Sequence, residues 1–131
     1  MTRLSCIIPI YNALDDVKIL FKSILENFNF HIGEVIIVDN GSTDKSKEYI
    51  MGNDFNFPVI LIENTENLGF SPAVNQGIMK AKYEYIFSLN NDTQVKKGSI
   101  KALIDLISSR PKIIFPPFSL SILSSGQDAP I

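Results

Sequence analysis

The stretch Val35-Ile36-Ile37-Val38-Asp39-Asn40-Gly41-Ser42-Thr43-Asp44 changes character at its middle. Four branched apolar residues in a row leave no polar face, so this strand must be covered on both sides, as strands of a parallel sheet are. Turn formers follow: Asn40-Gly41 ends the strand, and Ser42 or Thr43 can cap a helix directly after it. A buried strand running into a polar turn and then a helix is the repeating unit of an open α/β sheet.

The unit recurs on both sides. Upstream, Leu4-Ser5-Cys6-Ile7-Ile8-Pro9-Ile10 is another buried run. After it Leu14, Val17, Phe21, Ile24, Leu25 and Phe28 form a helical stripe. Downstream, residues 58–62 (PVILI) give a third strand. Ser71-Pro72 then reads as a capping serine with proline at the first helical position. Residues 85–89 form a fourth strand that ends in Asn90-Asn91-Asp92. Ser99 is expected to cap a last helix whose inner face is Ile100, Leu103, Ile104 and Ile107. Pro111 is expected to stop it, and residues 112–115 to form a further strand.

Short loops between alternating strands and helices imply right-handed crossovers. The expected fold is a three-layer α/β/α, Rossmann-like domain with a mainly parallel sheet over residues 1–115. Residues 116–131 lack a helical period from Ser119 onward and are expected to be a loop-like or disordered tail. In open sheets of this kind ligands bind beyond the carboxyl ends of the strands. Four polar loops fall there: Tyr11-Asn12, residues 39–44, residues 63–69 and residues 90–92.

Composition narrows the function. The chain has 131 residues, 45% hydrophobic and 20% charged, with a net charge of -2, enough for one domain with a real core. Its lysines are scattered and form no long run, which argues against nucleic acid as a partner. Cys6 is the only cysteine and lies in an apolar run, so it reads as a buried thiol compatible with a reducing compartment. Asp15 and Asp16 arrive before any stretch apolar enough for a signal peptide, so the expected location is cytoplasmic, or peripheral at the inner face of the membrane. Residues 113–123 fall well short of the ~20 residues that a spanning helix needs. His31 is the only histidine, which excludes a histidine-based triad or zinc cluster, and it reads as a solvated connector. The glycines form neither a G-x-G-x-x-G dinucleotide fingerprint nor a P-loop.

Four segments, SCIIPIYN (5–12), IIVDNGSTD (36–44), NTENLGFSPAVNQGI (64–78) and YIFSLNNDTQV (85–95), together resemble the nucleotide-binding region of the inverting glycosyltransferase family 2, which has the GT-A fold. The resemblance runs from Leu4 to Phe115. It implies an enzyme that transfers a sugar from a nucleoside-diphosphate donor of the UDP or dTDP type to a glycan or lipid-linked acceptor, with inversion, in polysaccharide or cell-surface glycan synthesis. It also implies a divalent cation, Mg²⁺ or Mn²⁺, at the diphosphate.

Carried over residue by residue, the resemblance places Pro9, Tyr11, Asn12, Asp39, Asn67, Gly69, Asn75, Asn90 and Asn91 at the nucleotide sugar, and Asp92 on the metal. Asp39 is expected to accept a hydrogen bond from a base N–H. The bland alternative is a turn-forming aspartate. Pro9 reads as conformational. Tyr11 either walls the base or is an ordinary half-buried aromatic. Asn67 either contacts the nucleotide or closes its turn, and Gly69 suits a positive φ or a close ligand approach. Asn75 faces either the site or a partner in the core. Asp44 also matches the family, but its place in the first turn of a helix favours a structural role. Asp92 matches the last acid of the family's D-x-D metal motif, where a hard cation offsets charge on the departing diphosphate. Asn90 stands where that motif has its first aspartate, which gives up one charge. The N-N-D-T variant resembles rhamnosyltransferase-like relatives.

An inverting transfer also needs a general base. The resemblance puts that carboxylate in a later half of the domain, and no residue of this chain is assigned to it. The chain is therefore expected to be a C-terminally truncated donor-binding half-domain, whose exposed apolar edge would favour self-association. The rival reading is a non-catalytic nucleotide-binding or scaffold fragment. A generic doubly wound receiver or nucleotidyltransferase domain leaves the four ordered segments unexplained.

Overall fold

The structure is a computed structural model that describes residues 2–27, 31–109 and 121–124, the last four through their backbone alone. The elements are β1 (Leu4–Ile10), α1 (Leu14–Glu26), β2 (Ile32–Asp39), α2 (Ser46–Gly52), β3 (Val59–Glu63), α3 (Phe70–Lys80), β4 (Tyr85–Ser88), α4 (Ser99–Ser109) and β5 (Ser121–Ser124). The sheet order is β3-β2-β1-β4-β5, parallel throughout except for β5, which runs antiparallel to β4. This is the expected mainly parallel α/β sheet. The strand expected at residues 112–115 and the stop at Pro111 lie outside the described residues. β5 falls within the segment expected to be loop, because four residues are too few to show a period. It is β4's outer edge that gives them a partner.

Alternation along the strands sorts the core into two layers. Cys6, Ile8, Ile10, Val35 and Ile37 pack with Val17, Leu20, Phe21, Ile24, Ile50, Ile100 and Ile104, so α1, α2 and α4 cover one face. Ile7, Ile36, Val38 and Ile86 pack with Ala73, so α3 covers the other. The helix starts differ from expectation. Asp44, rather than Ser42 or Thr43, accepts the first free N–H of α2, from Ser46 at 3.0 Å. α3 begins at Phe70 behind Gly69, which places Ser71 and Pro72 inside its first turn, where a proline's missing N–H costs little. Ser99 opens α4, but its hydroxyl donates to the Lys96 carbonyl instead of accepting from the helix.

The centre of the sheet explains where a ligand can enter. Ile10's carbonyl accepts the Asn40 N–H at 2.9 Å on the β2 side, and Ile7's carbonyl accepts the Leu89 N–H at 2.9 Å on the β4 side. In a parallel ladder the next N–H directed at β4 would belong to residue 9, and Pro9 has none. The β1–β4 ladder therefore ends at Ile7 with Ser88, while β1–β2 continues to Ile10 with Asp39. β4 leaves the sheet early, on the side of β1 where the strand order reverses. That is the topological switch point at which such sheets bind ligands.

Close packing of α3 rests on Gly77, where a Cβ would lie 2.4 Å from Ile7 Cγ2, and Ile7 is 0% exposed. Alanine would gain about 1 kcal/mol of helix propensity. Overpacking against a rigid β-branched neighbour costs about 1–3 kcal/mol and outweighs that gain. Gly77→Ala is expected to lower the melting temperature in a thermal unfolding experiment, and Gly77→Val to lower it further.

Candidate functional site

The loops after β1 and β2 are locked together by Asn12. Its backbone takes the left-handed region at φ 45°, which asparagine tolerates better than most residues. Asn12 Oδ1 accepts the N–H groups of Thr43 (2.7 Å) and Asp44 (3.2 Å), and its own N–H donates to Ser42 Oγ at 2.9 Å. Asn12 thus reaches the expected edge of the sheet, but its side-chain oxygen is engaged by backbone. Beside it the Tyr11 side chain stands open, 47% exposed.

Asp44 completes the lock by serving two helices. Oδ1 accepts from Ser46 at the start of α2, and Oδ2 accepts from Leu14 N at 3.2 Å at the start of α1. Helix α1 has no side-chain cap from its own Ala13, so its cap comes from thirty residues away. Desolvation pushes the Asp44 carboxyl up. Hydrogen bonds from Ser46 and from the Leu14 N–H outweigh it and hold the group below its ordinary range. The structural reading of this residue holds.

Asp39 closes β2 at 4% exposure. Its Oδ1 accepts the Ser42 N–H at 2.9 Å, and its backbone carbonyl accepts the Asn64 N–H at 2.8 Å. The other oxygen, Oδ2, has no hydrogen bond to any described residue. Next to it, the Asn40 amide donates to the Gly69 carbonyl (3.1 Å) and accepts from Asn64 Nδ2 (3.0 Å) and Leu68 N (3.4 Å). Asn64 and Gln76 exchange two amide bonds of 2.8 Å each. Asn67 Oδ1 accepts the Gly69 N–H at 2.9 Å, so this side chain closes its turn, and Gly69 takes the expected positive φ, at 93°. Asn75 is exposed and lines a groove between α3 and edge strand β3, with Ile60, Ile62 and Met79.

On the other side of β1 the chain leaves β4 through Leu89 and turns at residues 90–93, closed by the Thr93 N–H on the Asn90 carbonyl at 3.1 Å. Asn91 Nδ2 lies 3.5 Å from the Pro9 carbonyl, at the long end of hydrogen bonding. Asn90 and Asn91 are half-buried, and Asp92 is exposed at the tip. The turn is anchored behind by Val95, whose N–H donates to Ser23 Oγ (2.8 Å) and whose carbonyl accepts from Asn27 Nδ2 (2.9 Å). Asp39 ends β2 and Asp92 lies in the turn after β4, the two strands that flank β1.

Other reactive groups lie elsewhere. Burial pushes the Cys6 thiol up to about 12, which leaves it inert. His31 is more than a solvated connector: it is half-buried and its Nδ1 donates to the Thr2 carbonyl at 2.6 Å. Buried Glu34 accepts from Ser5 Oγ and the Lys82 N–H, both at 2.7 Å, near the amino ends of the strands. Among the described residues no group of three His, Cys, Asp or Glu side chains could hold a metal ion. Asn40, Asn64 and Gln76 were not singled out in the sequence. Three amides spread over thirty-seven positions leave no local signal, and only the fold makes them neighbours.

Comparison with known proteins follows the same geometry. The glycosyl transferase family 2 model matches residues 5–128. Poly-beta-1,6-N-acetyl-D-glucosamine synthase of Staphylococcus aureus (strain MSSA476) is 31% identical over 103 residues, 79% of this chain and 25% of that protein. The uncharacterized glycosyltransferase YibD of Escherichia coli (strain K12) is 36% identical over 104 residues, 79% of this chain and 30% of that protein. The chain thus spans 25% to 30% of the length of these relatives. S. aureus TarS 1-349 in complex with UDP-GlcNAc superposes with a TM-score of 0.76 at 20% identity, covering 84% of this chain and 32% of that one. Mannosyltransferase PcManGT from Pyrobaculum calidifontis, in complex with GDP-Man and Mn²⁺, gives 0.76 at 20% identity, covering 85% and 34%. Both share this fold.

The double cap generates a pH prediction. Asp44→Asn keeps one accepting oxygen and turns the other into a donor, so it is expected to cost about 1 kcal/mol near neutral pH, the cap of one helix start. A depressed carboxyl stabilises the fold above its unfolded value and loses that contribution as pH falls through its folded value. The gap in chemical-denaturation stability between the two proteins should therefore be full above pH ~5 and shrink below about 4.

Proposed function

The chain belongs to glycosyl transferase family 2, and we propose that it forms the nucleotide-sugar-binding part of a glycosyltransferase that passes a sugar to an acceptor hydroxyl with inversion. The observation that carries this reading is the pair of carboxylates at the switch point. Asp39 is buried at the end of β2 on one side of β1, and Asp92 is exposed in the turn after β4 on the other.

Asp39 binds the base. With Oδ1 committed to the Ser42 N–H, Oδ2 remains to accept one N–H. That matches the single N–H donor on the edge of uracil or thymine better than the multiple donors of guanine. A UDP or dTDP donor follows, in keeping with the UDP-GlcNAc bound to TarS. Tyr11 walls the base. Pro9 follows the end of the β1–β4 ladder, and the turn at Gly69 lies against Asn40, next to Asp39. We extend the reading to synthesis of cell-surface polysaccharide, as in the glucosamine-polymer synthase relative, with rhamnosyl as one candidate sugar. The expected cytoplasmic location, at or near the inner face of the membrane, is part of the same proposal.

Asp92 holds a divalent cation together with the diphosphate. The residues fit such an ion as a half-site. One exposed carboxylate and the neighbouring Asn90 and Asn91 amides are hard oxygen donors, and phosphate oxygens and water complete the shell that Mg²⁺ or Mn²⁺ prefers. When bound, the cation offsets negative charge on the diphosphate as the glycosidic bond breaks. The bound Mn²⁺ of PcManGT supports this class of cofactor. Because the chain supplies so few ligands, metal and nucleotide should bind cooperatively. The proposal assigns no general base to the described residues.

Calorimetry with UDP, dTDP and GDP, each with and without Mn²⁺, tests the reading. UDP or dTDP is expected to bind most tightly and to gain affinity with Mn²⁺. Asp39→Asn, which keeps the turn, should weaken binding about tenfold with or without metal. Asp92→Ala should remove the Mn²⁺ gain alone. Absence of nucleotide binding, or a Mn²⁺ gain that survives Asp92→Ala, would overturn the assignment and favour a scaffold module.

A further inference from the structure

We infer that the side-chain amides of Asn40, Asn64 and Gln76 are positioning residues that hold the turn at residues 64–69 against Asp39, and so set affinity at the base end of the donor site. The inference rests on the donor-site reading above and extends it to groups that touch no ligand.

The chain of contacts is continuous. Gln76 sits on α3 and pairs reciprocally with Asn64. Asn64 Nδ2 also donates to Asn40 Oδ1, and the Asn64 N–H donates to the carbonyl of Asp39 itself. Asn40, only 4% exposed, then grips the far end of the turn through Leu68 N and the Gly69 carbonyl. Both ends of the turn are thus tied to the residues that end β2. The middle is pressed onto the same place: a Cβ on Gly41 would lie 3.1 Å from Glu66 Cα.

Each amide uses both its donor and its acceptor end, so breaking one member leaves another unsatisfied. Asn40 anchors it from the buried side. Asn64 and Gln76 are half-buried and lie outside both apolar clusters. Their removal therefore takes little from the core. What it releases is the placement of the turn relative to Asp39, and binding is sensitive to displacements of about 1 Å at such a site.

The test separates position from stability. Gln76→Leu removes both amide bonds to Asn64, and Asn64→Asp keeps the shape while removing the donor toward Asn40 and Gln76. Both are measured for uridine, for UDP and for UDP with Mn²⁺, alongside thermal melting. Uridine and UDP should weaken by the same factor, about five- to tenfold, with the Mn²⁺ gain unchanged. Melting should stay within a few degrees for at least one of the two variants. In the Asp39→Asn background Gln76→Leu should have almost no further effect, which a purely structural role would not produce. Wild-type affinity in both variants, a loss confined to the Mn²⁺ gain, or full additivity with Asp39→Asn would overturn the inference while the donor-site reading stands. Failure of the wild-type protein to bind any of these nucleotides would sink both.

Discussion

The absence of one N–H, at Pro9, governs the rest of the molecule. A central strand ordinarily spends its backbone groups on both neighbours. Here β1 pairs with β2 to its end but loses β4 after Ile7. The sheet stays paired on the β2 side and ends early on the β4 side. A prolyl residue inside a strand removes a ladder hydrogen bond, and here it does so at the topological switch point, where the donor site is proposed.

An opened edge needs its loops held by something other than the sheet, and this chain uses short polar side chains bound to backbone. Asn12 bridges the first two loops, Asp44 ties the starts of α1 and α2 to them, and Val95 anchors the turn behind Asp92 to α1. These bonds are individually worth about 1 kcal/mol. Their value lies in position: Asn12 and Asp44 tie the loops after β1 and β2 to the starts of α1 and α2, and Val95 ties the chain after Asp92 to the far end of α1.

The two carboxylates are held differently, in keeping with the different roles proposed for them. Asp39 is buried with one oxygen committed to the Ser42 N–H, which suits a group that reads a fixed donor on a base. Asp92 is exposed at the tip of a turn, where its carboxylate is open to solvent, in keeping with the cation-binding role proposed for it. In the proposed site the neutral Asn90 amide adds no charge, so no second carboxylate at that position repels Asp92.

Strand, helix and loop order were legible in the sequence because hydrophobic period is local. Val35 to Val38, the stripe from Leu14 to Phe21 and the face from Ile100 to Ile107 each declare themselves within a dozen residues. The carboxylates at the strand ends were legible for the same reason, and so was Gly69. Helix starts were not. Ser42 or Thr43, Ser71 and Ser99 were expected to cap and none does, because a cap is decided by whichever oxygen reaches the N–H, and Asp44 reaches Leu14 across thirty residues. Strand β5 depended on the free edge of β4, and the amides of Asn40, Asn64 and Gln76 became a network only when β2, the third loop and α3 met. Short-range periodicity therefore determined the architecture and the place of the site. The polar bonds that shape the site's interior are long-range and weak singly, and only the folded chain could choose among their partners.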